Sequence, residues 1–202
     1  MNRRETSKNE TRQLILAAAR RLFAQKGMEE STIRDIARDA GVSPASVVVH
    51  FKSKTALLEE ALKGDIEMAL SELVASMPEN SDLLDRLLHL AKGFFRLYDQ
   101  NRNLYRALIR ATIFEPAGET PNLTSVSEGY LRFLAGLVEE GQARDLIRPE
   151  VDASVAAGAL FSLYLGALIM LFRQPEMTVE RVAEALEAMI DQYLKGITQI
   201  DP

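Results

Sequence analysis

Apolar residues recur along most of this chain at three- and four-residue spacing. Leu14, Ile15, Ala18, Leu22 and Phe23 line one face of a first helix, and Gly27 stops that run. Thr32 is placed to cap a second helix, with Asp35 three residues on to answer it, running through Ala40 to a turn at Gly41. A third short helix is predicted from Pro44. A fourth starts near Ser53 and runs into the 60s or 70s, before a break at Pro78 to Ser81. Leu84, Leu87, Leu88, Ala91, Phe95 and Tyr98 form the stripe of a fifth. A sixth covers about Arg102 to Ile113, a loop follows from Glu115 to Pro121, and a seventh reaches about Gln142. Asp152 caps the eighth, which ends at Gln174-Pro175, and Thr178 caps the ninth, striped by Val179, Val182, Leu186, Ile190 and Tyr193. The pattern shows no convincing strand. The expected fold is all-α, with about nine helices.

One stretch pulls against that reading. Gly41 to Lys54 reads GVSPASVVVHFKSK, and three consecutive valines suggest a strand. Ser43 is nevertheless a favoured N-cap, and proline suits the first helical position, where its missing N–H costs nothing. Each valine lowers helix propensity by less than about 0.7 kcal/mol. Spacing decides for a helix. Ala37, Gly41 and Val47 supply a small residue where helices touch, a glycine for the turn and a branched anchor for the second helix, the skeleton of a helix-turn-helix.

Charge gives that region a direction. The net charge is −5, yet residues 1–62 hold 11 Lys and Arg against 8 Asp and Glu, while the remainder holds 13 against 21. A basic head on an acidic body points the head alone at a polyanion. The chain has no cysteine, which removes disulfides, thiolate nucleophiles and cysteine metal sites. HExxH, Walker, GxSxG and dinucleotide signatures are missing, and no nucleophile–base–acid set can be assembled, so an enzyme is not expected, nor a cofactor or metal. No secretory apolar region stands near the N-terminus, which makes a cytoplasmic protein the expectation. The polar residues 1–10 read as a mobile arm.

The run from Thr11 to Leu62, TRQLILAAARRLFAQKGMEESTIRDIARDAGVSPASVVVHFKSKTALLEEAL, resembles the TetR family of bacterial regulators, and RDLIRPEVDASVAAGAL, Arg144 to Leu160, looks like its lead into the eighth helix. The resemblance implies a DNA-binding domain at 1–52, with its helix-turn-helix at about 32–50, and an effector-binding and dimerisation domain at 53–202. It implies that the helix from Pro44 to His50 enters the major groove of a double-stranded operator. Ala45, Ser46 and Val49 would face base edges. Thr32 and Arg34 would meet phosphate or a neighbouring base, Lys54 would meet phosphate, and His50 would help anchor the backbone. Arg3, Arg4 and Lys8 would be available to the minor groove. Tyrosines usual in the family are replaced by Val48 and Val49, which cannot bond phosphate but can touch a thymine methyl.

In the body, the twenty residues Ala153 to Phe172 carry no charge, long enough to span a bilayer. Ser154, Gly158, Ser162 and Gly166 recur every four residues along that run, a side-chain-poor ridge that lets another helix approach, and a buried helix of a soluble protein is preferred to a membrane span. With Val182, Leu186 and Ile190 of the ninth helix, the ridge is the expected homodimer interface, as in the family resembled. Phe95, Tyr98, Tyr105, Ile109, Tyr130, Phe133, Phe161 and Tyr164 are the candidate lining of a pocket for a small apolar or weakly polar effector. His89 reads as solvated, and Arg102, Arg106 and Arg110 as surface charges paired with acids rather than an anion-binding wall. The resulting expectation is a repressor released from DNA by its effector. The alternative is a protein–protein adaptor whose head no longer binds DNA tightly.

Overall fold

The computed structural model describes residues 3–78, 81–116, 118 and 120–197, with the backbone alone at 3, 4 and 197. Nine helices form among them: α1 (Arg3–Lys26), α2 (Ile33–Asp39), α3 (Pro44–His50), α4 (Lys54–Ala75), α5 (Leu83–Asp99), α6 (Arg102–Phe114), α7 (Pro121–Ala143), α8 (Ala153–Arg173) and α9 (Val179–Ile197). The all-α expectation holds. The loop expected from Glu115 to Pro121 and the break from Pro78 to Ser81 fall partly outside the described residues.

The N-terminal segment differs from the arm expected at 1–10. Residues 3–10 are the opening turns of α1, and residues 1–2 lie outside the description. The physical reason is local. The segment holds no glycine or proline, and a solvated helix needs no apolar face where nothing packs on it. The Thr11 hydroxyl donates back to the Ser7 carbonyl at 2.9 Å. The side chains of Arg3 and Arg4 lie outside the described residues, so their expected minor-groove role stays an expectation.

The chain packs as two compact units, and α4 and α7 each contribute to both. The first comprises residues 1–68 and 101–124, the second residues 69–100 and 125–202. The core of the first is made by Ile15, Ala18, Ala19 and Phe23 of α1, Ile36 and Ala37 of α2, Val47 of α3 and Leu57, Leu58 and Leu62 of α4, all buried. Leu104, Tyr105 and Leu108 of α6 are buried too. Glu59 is buried and bonded: its carboxylate accepts from the Leu123 backbone N–H at 2.8 Å and from the Asn122 amide at 3.3 Å, so it caps the start of α7.

In the second unit, α9 packs against α5 and α8. Leu87, Leu90, Ala91 and Phe95 meet Leu160, Tyr164, Ala167, Leu168, Val182, Ala183, Leu186 and Ile190 in its core. After α7, Asp145 adopts a left-handed conformation at φ 58°, which aspartate tolerates better than most residues. The Gln142 amide steadies the following link by donating to the carbonyls of Val151 at 2.8 Å and Arg148 at 3.1 Å. Asp152 then caps α8, accepting from the N–H groups of Ser154 and Val155 at 2.9 and 3.0 Å.

Candidate nucleic-acid interface

Two capped helices and a glycine turn hold α3 in place. Thr32 Oγ1 accepts from the Asp35 N–H at 3.1 Å, and Asp35 accepts from the Thr32 N–H at 3.3 Å, the reciprocal capping box expected from the sequence. The Thr32 hydroxyl also donates to the Asp35 carboxylate at 2.8 Å; that bond, and then the one from the Thr32 backbone, hold the Asp35 carboxyl below its usual range, with Arg38 assisting at 2.6 Å. Gly41 turns the chain at φ 68°, a left-handed conformation that suits glycine. The Val42 N–H then closes on the Ala37 carbonyl at 2.9 Å. Ser43 caps α3 through the Ser46 N–H at 3.1 Å, with Pro44 in the first turn. Val47 is fully buried and fixes the helix to the core.

That anchoring decides what α3 shows to solvent. Pro44, Ala45, Val48 and Val49 are exposed, Ser46 and His50 half-buried. Arg34 near the start of α2 and Lys52 after α3 are exposed cations. At the base of α3, Phe51 is buried, and the Arg12 guanidinium lies 5.1 Å from its ring centroid while pairing with Glu60 at 3.0 Å.

Lys54 departs from its expected role. Its ammonium donates to the carbonyls of Met28 at 2.9 Å, Ser31 at 3.1 Å and Glu29 at 3.4 Å, so its three protons are spent on the link between α1 and α2. The bonds span 23 to 26 residues, which no local pattern reveals. Thr32 is likewise occupied by its capping box, although it remains exposed. Lys52, two residues from Lys54, is the cation that sequence reasoning passed over.

Residues 15–61 match the family described as bacterial regulatory proteins, tetR family. This head is a tetR-family domain. Likeness to HTH-type transcriptional regulators extends beyond it. The HTH-type transcriptional regulator UidR of Escherichia coli K12 is 23% identical over 201 residues, covering 96% of this chain and 98% of that protein. The HTH-type transcriptional repressor KstR2 of Mycolicibacterium smegmatis is 24% identical over 144 residues, 70% of this chain and 69% of its own length. Among solved structures, a transcriptional regulator from Saccharomonospora viridis in complex with choline superposes with a TM-score of 0.69 at 25% identity, covering 95% of this chain and all of that one. FadR of Bacillus subtilis in complex with stearoyl-CoA gives 0.72 at 18% identity, covering 88% and 96%, a likeness of fold. A tetR-family head marks the chain as a DNA-binding transcription regulator.

The candidate effector residues separate. Phe95, Tyr98, Tyr130, Phe161 and Tyr164 come together in the second unit. Phe95 stacks on Tyr164 at 5.5 Å between centroids, and Tyr130 meets Phe161 edge-on at 6.0 Å. Phe94 and Phe172 join them on Tyr98, at 5.9 and 6.2 Å, and neither is among the candidate pocket residues read from the sequence. Adjacent phenylalanines on a helix point about 100° apart, so a single-stripe reading kept only Phe95. Burial pushes the Tyr98 phenol up to about 12, offset in part by its hydrogen bond with Tyr164, and burial also raises Tyr130 and Tyr164. Phe133 is half-buried on α7. Tyr105 and Ile109 belong to the first unit, where the Tyr105 hydroxyl donates to Asp65 at 3.1 Å.

The expected dimer residues separate as well. Ser154 and Ser162 are exposed, and Gly158 and Gly166 have open space where a Cβ would point. Val182, Leu186 and Ile190 are instead buried in the protomer's own core, because α9 is held between α5 and α8 and turns this stripe inward. His89, expected in solvent, is half-buried with Nε2 3.0 Å from the Leu73 carbonyl. Arg110 pairs with Glu29.

Proposed function

We propose that the chain is a homodimeric, cytoplasmic repressor, without enzymatic activity, that leaves its operator when a small apolar or weakly polar molecule binds its body. The observation that carries the reading is the outward face of α3, held by two capped helices in a head that matches a DNA-binding family. The functional division lies near residue 52, with the operator met by residues 1–52. Pro44, Ala45, Ser46, Val49 and His50 face the groove, while Arg34 and Lys52 reach phosphates. Two copies present their α3 helices to successive major grooves, about one helical turn apart.

Known ligands of similar proteins, choline in one structure and stearoyl-CoA in another, support a small-molecule effector, whose site we assign to the second unit. Its aromatic cluster offers apolar rings with phenol hydroxyls as polar handles, which suits a largely apolar guest.

For the dimer, the free face of α8 is Ser154, Val155, Gly158, Ser162, Gly166 and Ile169. On α9, the flank bearing Glu180, Glu184 and Glu187 lines clefts with Lys92 and Arg96 of α5. We place the partner's seat on the opposite flank, Arg181, Ala185, Ala188 and Gln192, in place of the buried stripe. An isologous contact of α8 and α9 with their copies follows.

Titration of the full chain against a pool of random duplexes, repeated at several salt concentrations, tests the reading. A repressor binds with a steep loss of affinity as salt rises, because phosphate neutralisation releases counterions. Salt-independent or absent binding overturns it and leaves the adaptor.

A further inference from the structure

The helix offered to DNA lacks the usual vocabulary of base recognition. Pro44–His50 reads PASVVVH, without Arg, Lys, Asn or Gln, the side chains that make two-point hydrogen bonds to guanine or adenine edges. What it presents instead is apolar. Val48 is 59% exposed and Val49 79%, and both sit beside the exposed Ala45, three and four residues back on the same face. Neither valine serves the fold in this position, since Val47 alone reaches the core from α3.

The major groove has one apolar feature that differs between base pairs, the C5 methyl of thymine. We propose that α3 reads C5-methyl groups through Val49 and Val48. The inference rests on the DNA-binding reading of the head and adds to it the chemical group recognised. An apolar strip with Arg34 before it and Lys52 after it matches a duplex, whose methyl-bearing groove floor runs between phosphate walls. Ser46 and His50 are the only side chains of α3 able to hydrogen-bond a base edge, and both are half-buried. Valine is indifferent to the exocyclic oxygen or amine beside the methyl. A 5-methylcytosine can therefore take the place of thymine at these positions, whereas cytosine cannot.

Duplexes selected by the full chain from a randomised thymine-containing pool supply the site. The selected duplex is then resynthesised with deoxyuridine at one thymine at a time, which removes a methyl and leaves every donor and acceptor. Affinity is expected to fall about fourfold for each methyl read, at one or two positions per half-site, with the salt slope unchanged. Val49→Ala is expected to erase the difference between thymine and uracil at its own position. Its exposed site makes the substitution harmless to the fold, which circular dichroism verifies. At the same position, 5-methylcytosine is expected to bind better than cytosine. Equal affinity for thymine and uracil duplexes overturns methyl reading while leaving DNA binding intact. So does a Val49→Ala variant that loses the same factor on both. Selection of no duplex at all overturns the DNA-binding reading beneath it.

Discussion

Lys54 shows how one side chain can be assigned by family position to a task that its surroundings withhold. With its ammonium held by the carbonyls of Met28, Glu29 and Ser31, it acts as a brace for the link between α1 and α2. Lys54→Met keeps the aliphatic stem and removes the charge. It is expected to lower the stability of the protein by about 2 kcal/mol, the usual cost of losing hydrogen bonds to a charged group. The salt dependence of DNA binding should stay as steep as in the parent. Arg34→Ala is expected to do the reverse, leaving thermal stability within about 0.5 kcal/mol and flattening the salt slope by about 1.8, about 0.9 for each copy in the dimer. Paired denaturation and salt titrations separate the two. A flattened slope for Lys54→Met would return that lysine to the phosphates.

At the scale of elements, the buried phenols of α5, α7 and α8 carry a pH signature. An unfolded tyrosine ionises near pH 10, whereas burial lifts Tyr98 to about 12 and raises Tyr130 and Tyr164. A folded pKa above the unfolded one stabilises the fold fully below pH 10, and that contribution is lost as pH climbs from 10 towards 12. Thermal melts across that window are expected to fall steeply for the parent protein. Tyr98→Phe is expected to flatten the fall and, at neutral pH, to cost about 1 kcal/mol through the lost bond to Tyr164. An unchanged alkaline profile in the variant would mean that the phenol already meets water. The helices themselves were legible in the sequence because caps and breakers are local: Thr32 with Asp35, Ser43 with Pro44, and Asp152 all mark their helices as read. What was not legible acts across distance or by orientation. Glu59 reaches Leu123 over 64 residues. The stripe Val182, Leu186, Ile190 was recognised as apolar, but periodicity cannot say whether an apolar stripe faces its own core or a second copy.

At the scale of the whole molecule, α8 is long and apolar enough to cross a membrane by length and composition, yet Ala156, Ala157, Leu160, Ala167, Leu168 and Leu171 are buried in the second unit. The proposed dimer uses the face left over. Because a Cβ at Gly158 meets nothing within 4 Å, Gly158→Leu is expected to leave the protomer folded and to disturb only what docks on that face. Overpacking a symmetric contact costs about 1–3 kcal/mol at each copy of the substitution. Sedimentation should show a monomer, soluble without detergent, and operator affinity should collapse as the two half-sites lose their tether. A variant that remains dimeric places the interface elsewhere. The membrane alternative requires detergent even for the parent chain.

The first unit is built from two separate stretches of chain, and this bears on how such regulators can be recombined. Residues 1–52 carry the groups proposed to meet DNA, but the unit closes only when residues 101–124 return to it, bringing buried Leu104, Tyr105, Leu108 and Leu123 and the backbone N–H that Glu59 requires. The head is therefore not a transplantable cassette in the linear sense. A chimera that joins residues 1–68 of this chain to a foreign body inherits Glu59 without its Leu123 partner, and inherits apolar surface cut to fit an α6 that stayed behind. Such a graft is expected to express poorly and melt early, and to recover when residues 101–124 travel with it. Three crossover points, not one, define the piece that can be exchanged as a working whole.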